Sequence, residues 1–325
     1  MPPPTTATTS MTPPSQARHR PRALLLAGLL ALACTVAVSQ PETSAIQAPR
    51  RGQAGKDVVW IATPDAAVDR MLRMAEVGTT DRVVDLGSGD GRIAIAAGRD
   101  FGARATGLEF DPGLVELSNR RARETGVADR VDFQRADIFT AEFGDATVVT
   151  MYLLPELNLR LRPILFRMAP GTRVVSHSFA MGDWRPDETA TVGSAVLHRW
   201  TVPANAAGVW RVRPTGASDA RGMPAELRFT QRLQRLEGHA SFGALSAGAV
   251  RPELTGEALV FGLRDSDGVL LRVRARITGD RMTGTLANDA GTVGSFEAER
   301  VDAAPPIEGV ESTQAEREAA ARVLD

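Results

Sequence analysis

A glycine-rich segment is the part of this sequence with the clearest chemical meaning. The chain contains DRVVDLGSGDGRIAIAAG at residues 81–98, in which Gly87, Gly89 and Gly91 alternate with Ser88 and an aspartate. A β-branched run precedes the glycines and an alanine-rich run follows them, which predicts a strand, a glycine turn and a helix. This arrangement is typical of proteins that hold a nucleotide-like cofactor at the start of a helix.

The charges of this loop disfavour a dinucleotide as the ligand. The dinucleotide fingerprint has a third glycine at the position that Arg92 occupies here. Asp85 and Asp90 also place two carboxylates in and beside the loop, and these would repel a pyrophosphate. A ligand that carries an ammonium and a sulfonium group would be accepted instead. A nicotinamide dehydrogenase is therefore the least favoured of the functions we consider.

Two further acidic residues follow the next two predicted strands. Glu109 lies in TGLEFD, 18 residues past Gly91, where a carboxylate can accept hydrogen bonds from two ribose hydroxyls. Asp137 lies in QRADIF after the third strand, where it can accept a hydrogen bond from an adenine amino group. Ligands of open α/β sheets bind at the carboxyl ends of the strands, so the three features are expected to meet at one edge.

The loop, Glu109 and Asp137 together resemble the class I S-adenosylmethionine-dependent methyltransferases over about residues 57–203. The resemblance implies a Rossmann-like methyltransferase sheet of the α/β class and S-adenosylmethionine as the cofactor. It further implies that the three glycines shape the methionine pocket, that Glu109 holds the ribose and that Asp137 holds the adenine. Asp85 would support the loop and the amino end of the cofactor. Thr63, just before the first helix, is a candidate for closing over the methionine end.

Three longer segments carry a more specific resemblance. VVWIATPDAAVDRML, DATVVTMYLLPELNLRLRP and VVSHSFAMGDW are similar to bacterial relatives of the mitochondrial lysine methyltransferases that act on the ATP synthase c-subunit and the adenine nucleotide translocase. The resemblance implies an enzyme that N-methylates a protein lysine or a similar small amine.

The acceptor side of the site is expected where the fourth strand ends. Tyr152 is the only tyrosine of the chain and is a candidate for lining the acceptor pocket, although a packed aromatic residue is an equally good interpretation. Glu156 is a candidate for taking the proton of the amine, because a lysine must lose its proton before methylation. A solvated first helical turn is nevertheless the favoured interpretation of Glu156 and Asn158. His177 is expected to be a structural histidine.

Patterns along the chain predict two folded parts. Strand and helix patterns alternate in the first part, which predicts a mainly parallel sheet flanked by helices. Short alternating strands with Gly and Asp turns fill the second part and predict a small C-terminal antiparallel β domain. The predicted segments are a leader (1–39), a linker (40–56), the methyltransferase domain (57–203), the β domain (205–301), and a linker with a short terminal helix (302–325).

Local signals fix several elements of these parts. Asp111 followed by Pro112 suits a helix start, and Thr313 with Glu316 forms a capping box for the terminal helix. The predicted strands of the first part are Val83–Leu86, Ala105–Glu109, Val131–Gln134, Thr147–Tyr152 and Thr172–Ser178. The predicted helices are Ala66–Glu76, Arg92–Arg99, Asp111–Glu124 and Pro155 to about Met168.

Charge and metal-ligand content narrow the classes of function. The net charge of −1 gives no overall attraction to nucleic acid, so no nucleic-acid partner is expected. Cys34 is the only cysteine and the four histidines are scattered without ligand spacing, so no metal is expected.

The N-terminal segment resembles an export signal. Three arginines precede an apolar run at residues 23–38, which predicts a signal peptide or a membrane anchor and hence possible membrane association. The expected location is the cell envelope, with the protein exported or anchored, and an active site facing the cytosol stays open as an alternative. A second functional alternative is an envelope binding protein that keeps the methyltransferase fold without catalysis.

Overall fold

The computed structural model describes residues 61–215, 223–265 and 268–323. The predicted leader and first linker lie outside the described residues, as does the apolar run at residues 23–38. Within the described ranges, no helix combines the length and the apolar composition that a membrane span needs.

A seven-stranded sheet with four helices forms the first part. Its strands are β1 (Arg82–Leu86), β2 (Arg104–Glu109), β3 (Val131–Arg135), β4 (Val148–Met151), β5 (Arg173–His177), β6 (Glu188–Val192) and β7 (Ala195–Thr201). Its helices are α1 (Asp65–Met74), α2 (Arg92–Asp100), α3 (Pro112–Glu124) and α4 (Pro155–Leu165). The strand order is β3-β2-β1-β4-β5-β7-β6. β1 to β5 are parallel and β7 is antiparallel to both of its neighbours. The order reverses between β1 and β4, the position where open α/β sheets bind their ligands.

The local sequence signals correspond to the observed elements. Asp111 caps α3, because its carboxylate accepts hydrogen bonds from the backbone N–H groups of Gly113 (2.7 Å) and Leu114 (3.0 Å). The five predicted strands and four predicted helices are present with end shifts of a few residues. The β6–β7 hairpin was not predicted. β6 lies at the sheet edge and is half-exposed, so its short ETATV sequence lacks the apolar run that identifies a buried strand.

The second part is an antiparallel barrel. Its strands are β8 (Gly208–Thr215), β9 (Glu226–Arg232), β10 (Arg235–Phe242), β11 (Leu245–Gly248), β12 (Val250–Thr255), β13 (Ala258–Arg264), β14 (Leu270–Thr278), β15 (Arg281–Asn288) and β16 (Gly291–Arg300). The sheet order runs from β11 to β12, and these two edge strands are successive parts of one extended segment. Because the two edges are consecutive in the chain, the sheet closes on itself.

Aromatic side chains fill the middle of the barrel. The rings of Phe229 and Phe261 meet edge to face with centroids 5.5 Å apart. Gly238 makes room for Phe229, since a Cβ at Gly238 would lie 2.5 Å from that ring. In β14, Leu271, Val273 and Ile277 are buried while the arginines between them are exposed, the alternation of a strand with one face in the core. The interior of the barrel is therefore filled with packed side chains at the level of the Phe229 and Phe261 rings.

The hairpin between β9 and β10 joins the barrel to the first sheet. Leu233 at its tip is buried in the same apolar cluster as Trp184 and Trp200. Gln231 is also buried, and its side chain bonds to the backbone of Ala204, Ala206 and Leu233. These contacts fix the barrel beside the loop that follows β5.

The terminal helix α5 (Gln314–Ala321) begins at the predicted capping box. The Thr313 hydroxyl accepts a hydrogen bond from the Glu316 N–H (3.2 Å), and the Glu316 carboxylate accepts one from the Thr313 N–H (2.8 Å). Glu316 also reaches Arg162 of α4, so the end of the chain packs against the first sheet.

Candidate active site

The glycine loop links β1 to α2 and is fastened to the end of β2. The N–H groups of Gly87 (2.9 Å) and Ser88 (3.1 Å) donate to the carbonyl of Leu108. The Gly89 N–H donates to Glu109 Oε2 (2.9 Å). The glycine loop and Glu109 therefore lie in direct contact at one edge of the sheet, as expected from the order of the strands.

Backbone conformation and close packing explain the three glycines. Gly87, Gly89 and Gly91 have φ values of 72°, 55° and 81°, a region that other residues rarely adopt. A Cβ at Gly91 would lie 2.6 Å from the Phe133 ring, and one at Gly87 would lie 2.9 Å from the Leu153 side chain. A side chain at either position would push the loop away from β3 or from the segment after β4.

Glu109 has its carboxylate at the carboxyl end of β2. Besides the Gly89 bond, its Oε1 accepts hydrogen bonds from the N–H groups of Phe110 (2.8 Å) and Asp111 (3.0 Å). An ionised carboxylate offers about four acceptor positions, so capacity remains for a hydroxyl donor. Asp137 follows β3 and is half-buried, with Oδ1 accepting from the Phe139 N–H (3.1 Å). Both acids lie at strand ends, where a nucleoside would need them.

Asp85 at the end of β1 is a buried carboxyl group, 2 % exposed. Burial raises its pKa to about 7, and the nearby charges of Asp90 and Glu109 act in the same direction, against a hydrogen bond from the Thr150 hydroxyl (2.7 Å) that lowers it. A cation bound beside Asp85 would favour its ionised form. The sulfonium and ammonium groups of S-adenosylmethionine thus fit the charge of the cradle that the glycine loop, Asp85 and Glu109 form.

Asp90 does not contribute the free negative charge that the loop sequence predicts. Its carboxylate does not face a ligand cation, since Arg92 and Arg121 each bind it at 2.6 Å. Burial alone would raise the Asp90 pKa, but these two guanidinium groups lower it below its ordinary value. Arg92 and Arg121 therefore neutralise Asp90. Asp85 adds negative charge beside Glu109 when a bound cation favours its ionised form.

An aromatic group forms at the ends of β4 and β5. The Tyr152 ring lies against His177, with centroids 3.9 Å apart, and near Phe179 at 6.4 Å. Tyr152 is half-exposed. Leu153, next in the chain, packs over Gly87, so this group borders the glycine loop.

Thr63 is turned toward His177. Its hydroxyl is hydrogen-bonded to His177 Nδ1 (3.0 Å), and its carbonyl accepts from Arg92 Nη1 (2.9 Å). Burial lowers the His177 pKa to about 4, so the imidazole is neutral near pH 7. The role predicted for Thr63 at the methionine end of the cofactor stays a prediction.

Glu156 and Asn158 differ although they share one helical turn. Glu156 is half-exposed, as expected for a first helical turn. The expectation of a solvated Asn158 is wrong, because Asn158 is fully buried and donates to the Phe179 carbonyl (3.0 Å). Its Oδ1 has no partner within the described part of the chain. Helix α4 packs this face against the loop after β5, a contact that helical spacing alone does not identify.

Replacing Asp85 by asparagine is expected to flatten the pH dependence of stability between about pH 4 and 7. The folded chain keeps a proton on Asp85 up to about pH 7, whereas the unfolded chain releases it near pH 3.9. The free energy of unfolding of the wild type therefore falls as the pH rises through this window, by a few kcal/mol at about 1.4 kcal/mol per pKa unit.

Urea unfolding at several pH values measures this difference, and Asp289→Asn on an exposed barrel turn is the matched control. Parallel pH profiles for wild type and Asp85→Asn would contradict the prediction.

Sequence reasoning did not assign roles to four polar residues that organise the site. Arg92, Arg121 and Ser118 hold the glycine loop, the last by donating to the Gly89 carbonyl (3.0 Å). Arg162 is fully buried and donates to the Met181 carbonyl in the loop after β5 (2.9 Å). Of these roles, only that of Arg92 had a signal in the sequence, since an arginine stands where the dinucleotide fingerprint has its third glycine. Among the described residues, no group of three or more metal-ligating side chains lies close enough together to hold a metal ion.

Comparison with known proteins adds the family. A family model described as the ANTKMT methyltransferase domain matches residues 85–188. A protein-lysine N-methyltransferase of Saccharolobus islandicus is 40% identical over 137 residues, which are 42% of this chain and 85% of that protein. The adenine nucleotide translocase lysine N-methyltransferase of Mus musculus is 32% identical over 152 residues, which are 46% of this chain and 65% of that protein.

A solved structure from Salinibacter ruber, described as an RNA methyltransferase in complex with S-adenosyl-L-homocysteine, is 53% identical. It covers 44% of this chain and 94% of its own, with a TM-score of 0.43. The match to the Saccharolobus relative spans 85% of that protein, and the family model covers the glycine loop. The chain therefore belongs to the ANTKMT methyltransferase family and is an S-adenosylmethionine-dependent methyltransferase.

Proposed function

We propose that this enzyme transfers the methyl group to the side-chain nitrogen of a lysine in a protein acceptor. The main observation in support of this proposal is the aromatic group of Tyr152, His177 and Phe179. It lies at the ends of β4 and β5, next to the glycine loop. Aromatic rings attract alkylammonium groups by about 0.5–2 kcal/mol. A half-exposed tyrosine beside a neutral histidine offers this attraction without a positive charge that would repel the amine.

The relatives support the same acceptor. The Saccharolobus and mouse proteins both carry lysine N-methyltransferase in their names. The alternative of an envelope binding protein without catalysis is not favoured, because the glycine loop, Glu109 and Asp137 keep the positions that cofactor binding requires. A small free amine remains the competing acceptor and is an arm of the experiment below.

Each residue has a defined task in this proposal. S-adenosylmethionine, when bound, supplies an electrophilic methyl group on sulfur. Glu109 and Asp137 hold the nucleoside at the ends of β2 and β3, and Tyr152 orients the amine nitrogen for in-line attack. The new nitrogen–carbon bond forms as the sulfur–carbon bond breaks and its electron pair stays on sulfur. Glu156, half-exposed in the first turn of α4, accepts the proton that the ammonium releases.

Methyl transfer from labelled S-adenosylmethionine tests the acceptor class. The purified chain is incubated separately with membrane proteins, soluble proteins, total RNA and free lysine, and labelled protein is hydrolysed for amino-acid analysis. We expect label in protein, recovered as methyllysine. Label in RNA or in free lysine alone, or in methylated residues other than lysine, would overturn the proposal.

A matched pair of variants tests the aromatic contribution. Tyr152→Phe keeps the ring and is expected to retain most activity, whereas Tyr152→Ala removes the ring and should lower kcat/KM for the acceptor by about 2- to 30-fold, the range that the cation–π energy gives. Both variants should bind S-adenosylhomocysteine as the wild type does. Equal kcat/KM for the wild type and Tyr152→Ala would remove Tyr152 from the acceptor pocket.

We further propose a location in the cell envelope. The support is the arginine-flanked apolar run at residues 23–38, which is typical of a signal peptide or an anchor. Fractionation of cells that produce the full chain, with N-terminal sequencing of the product, distinguishes cleavage, anchoring and cytosolic retention. An uncleaved product in the cytosolic fraction would contradict the proposal.

A further inference from the structure

A chain of contacts connects the glycine loop to the aromatic group. Arg92 binds the loop carboxylate of Asp90 through two nitrogens, Nε at 2.9 Å and Nη2 at 2.6 Å. Its third nitrogen, Nη1, donates to the Thr63 carbonyl (2.9 Å). The Thr63 hydroxyl is then hydrogen-bonded to His177 Nδ1 (3.0 Å). Thr63, which precedes α1, is thus hydrogen-bonded both to Arg92 on the cofactor side and to His177 on the acceptor side.

His177 transmits this connection to Tyr152 by ring contact. The imidazole is 4 % exposed and its centroid lies 3.9 Å from that of the phenol. Ser178, directly after it, has a φ of 69°, which is uncommon for a residue other than glycine. The Ser178 N–H donates to the Val196 carbonyl (2.7 Å) and holds this conformation. The strained backbone keeps the rings of His177 and Phe179 against Tyr152.

Thr63 and His177 are both buried, and this limits what they can do. A buried histidine with a pKa of about 4 is a poor proton acceptor for a lysine ammonium. Its fixed Nδ1 partner and its ring contact instead define where the tyrosine stands. Tyr152 itself has one open side, since it is half-exposed.

We propose that His177, held by Thr63, is a positioning residue that fixes the Tyr152 ring for methyl transfer. This inference rests on the proposed function only in the placement of Tyr152 at the acceptor. Arg92 holds Thr63 from the other side, so the glycine loop and the acceptor wall keep one relative geometry. A displacement of about 1 Å at a reacting centre can lower a rate by about 100-fold, and the Arg92–Thr63–His177 connection prevents such a displacement.

Tyr152 is the only tyrosine in the sequence, so ring-labelled tyrosine gives a single NMR signal that needs no acceptor. The full chain is compared with Thr63→Val, which removes the hydroxyl at nearly equal volume, and with Thr63→Ser, which restores it. His177→Gln removes the ring but keeps a hydrogen-bonding group. We expect Thr63→Val and His177→Gln to displace or broaden the Tyr152 signal, and Thr63→Ser to retain the wild-type signal.

Kinetics give the second readout. Thr63→Val and His177→Gln should lower kcat/KM for the acceptor by no more than the roughly 2- to 30-fold that loss of the Tyr152 ring itself gives, whereas Thr63→Ser should keep the wild-type value. His177→Gln should leave the Kd for S-adenosylhomocysteine unchanged. A wild-type Tyr152 signal in folded Thr63→Val and His177→Gln would overturn the inference. The wild type could fail to methylate lysine while the Tyr152 NMR signal still differs between Thr63→Val and Thr63→Ser. In that case the acceptor assignment fails and the positioning role stands.

Discussion

Glu109→Ala is expected to weaken the binding of S-adenosylmethionine and S-adenosylhomocysteine at least tenfold. The Glu109 carboxylate already accepts three backbone N–H groups, including that of Gly89, and its remaining acceptor capacity points to the ribose hydroxyls. Hydrogen bonds to a charged group contribute about 1.5–3 kcal/mol each, and about 1.4 kcal/mol corresponds to a tenfold change in Kd. The variant also releases the Gly89 N–H, which loosens the loop.

Calorimetric titration with both adenosyl ligands and with NAD measures this effect. Glu116→Gln, on the exposed face of α3, removes a nearby charge without touching the loop and should bind as the wild type does. Unchanged affinity in a folded Glu109→Ala protein would show that the nucleoside lies elsewhere. Comparable binding of NAD would contradict the assignment of the cofactor.

Glu316→Ala is expected to destabilise the chain by about 3–5 kcal/mol, the usual cost of removing one partner of a buried ion pair. Arg162 is fully buried and binds both carboxylate oxygens of Glu316, at 2.7 and 3.0 Å. Its other bonds go to the carbonyls of Met181 and Val310. Without Glu316 the guanidinium is left in the interior with neutral acceptors only.

The Arg162→Met/Glu316→Ala double variant should be more stable than either single variant, since it leaves no unpaired charge. Urea unfolding followed by tryptophan fluorescence measures all four proteins. Glu318→Ala, on the exposed side of α5, is the control and should change stability by about 0.5 kcal/mol or less. A loss of this small size in Glu316→Ala would rule out the ion pair as a structural link.

Low pH should abolish the stabilisation that the Arg162–Glu316 ion pair provides. Burial alone would raise the Glu316 pKa, but hydrogen bonds from Arg162, from the Asp183 N–H and from the Thr313 N–H lower it to about 2. An unfolded glutamate titrates near 4.3. The stabilisation is therefore complete above about pH 4.3 and is lost as the pH falls toward 2, so the difference between wild type and Glu316→Ala should shrink over that range.

This ion pair also connects α5 to the loop after β5. Glu316 accepts the backbone N–H of Asp183, in the loop after β5 (2.8 Å). Arg232 of the barrel binds the carboxylate of the same residue (3.1 Å). The barrel and α5 thus hold the loop that continues from the aromatic group of Tyr152, His177 and Phe179.

The sequence by itself predicted the cofactor half of the site. Gly87, Gly89 and Gly91 adopt left-handed backbone conformations, a local requirement that glycine alone meets easily and that a short sequence therefore reveals. Glu109 and Asp137 were placed at strand ends because a parallel sheet brings successive carboxyl ends to one edge. The capping box of Thr313 and Glu316 was equally local, spanning one helical turn.

Only the tertiary structure decided the acceptor half and the pairing of charges. Arg162 meets Glu316 from 154 positions away and His177 meets Thr63 from 114, and no short pattern encodes such partners. Asn158 was expected in solvent and is buried, since the covering loop comes from a different strand. Asp90 was counted from the sequence as a negative charge of the loop, and it is neutralised by arginines of two helices. Local backbone preference is contained in a few consecutive residues, whereas burial and charge pairing depend on which distant segments pack together.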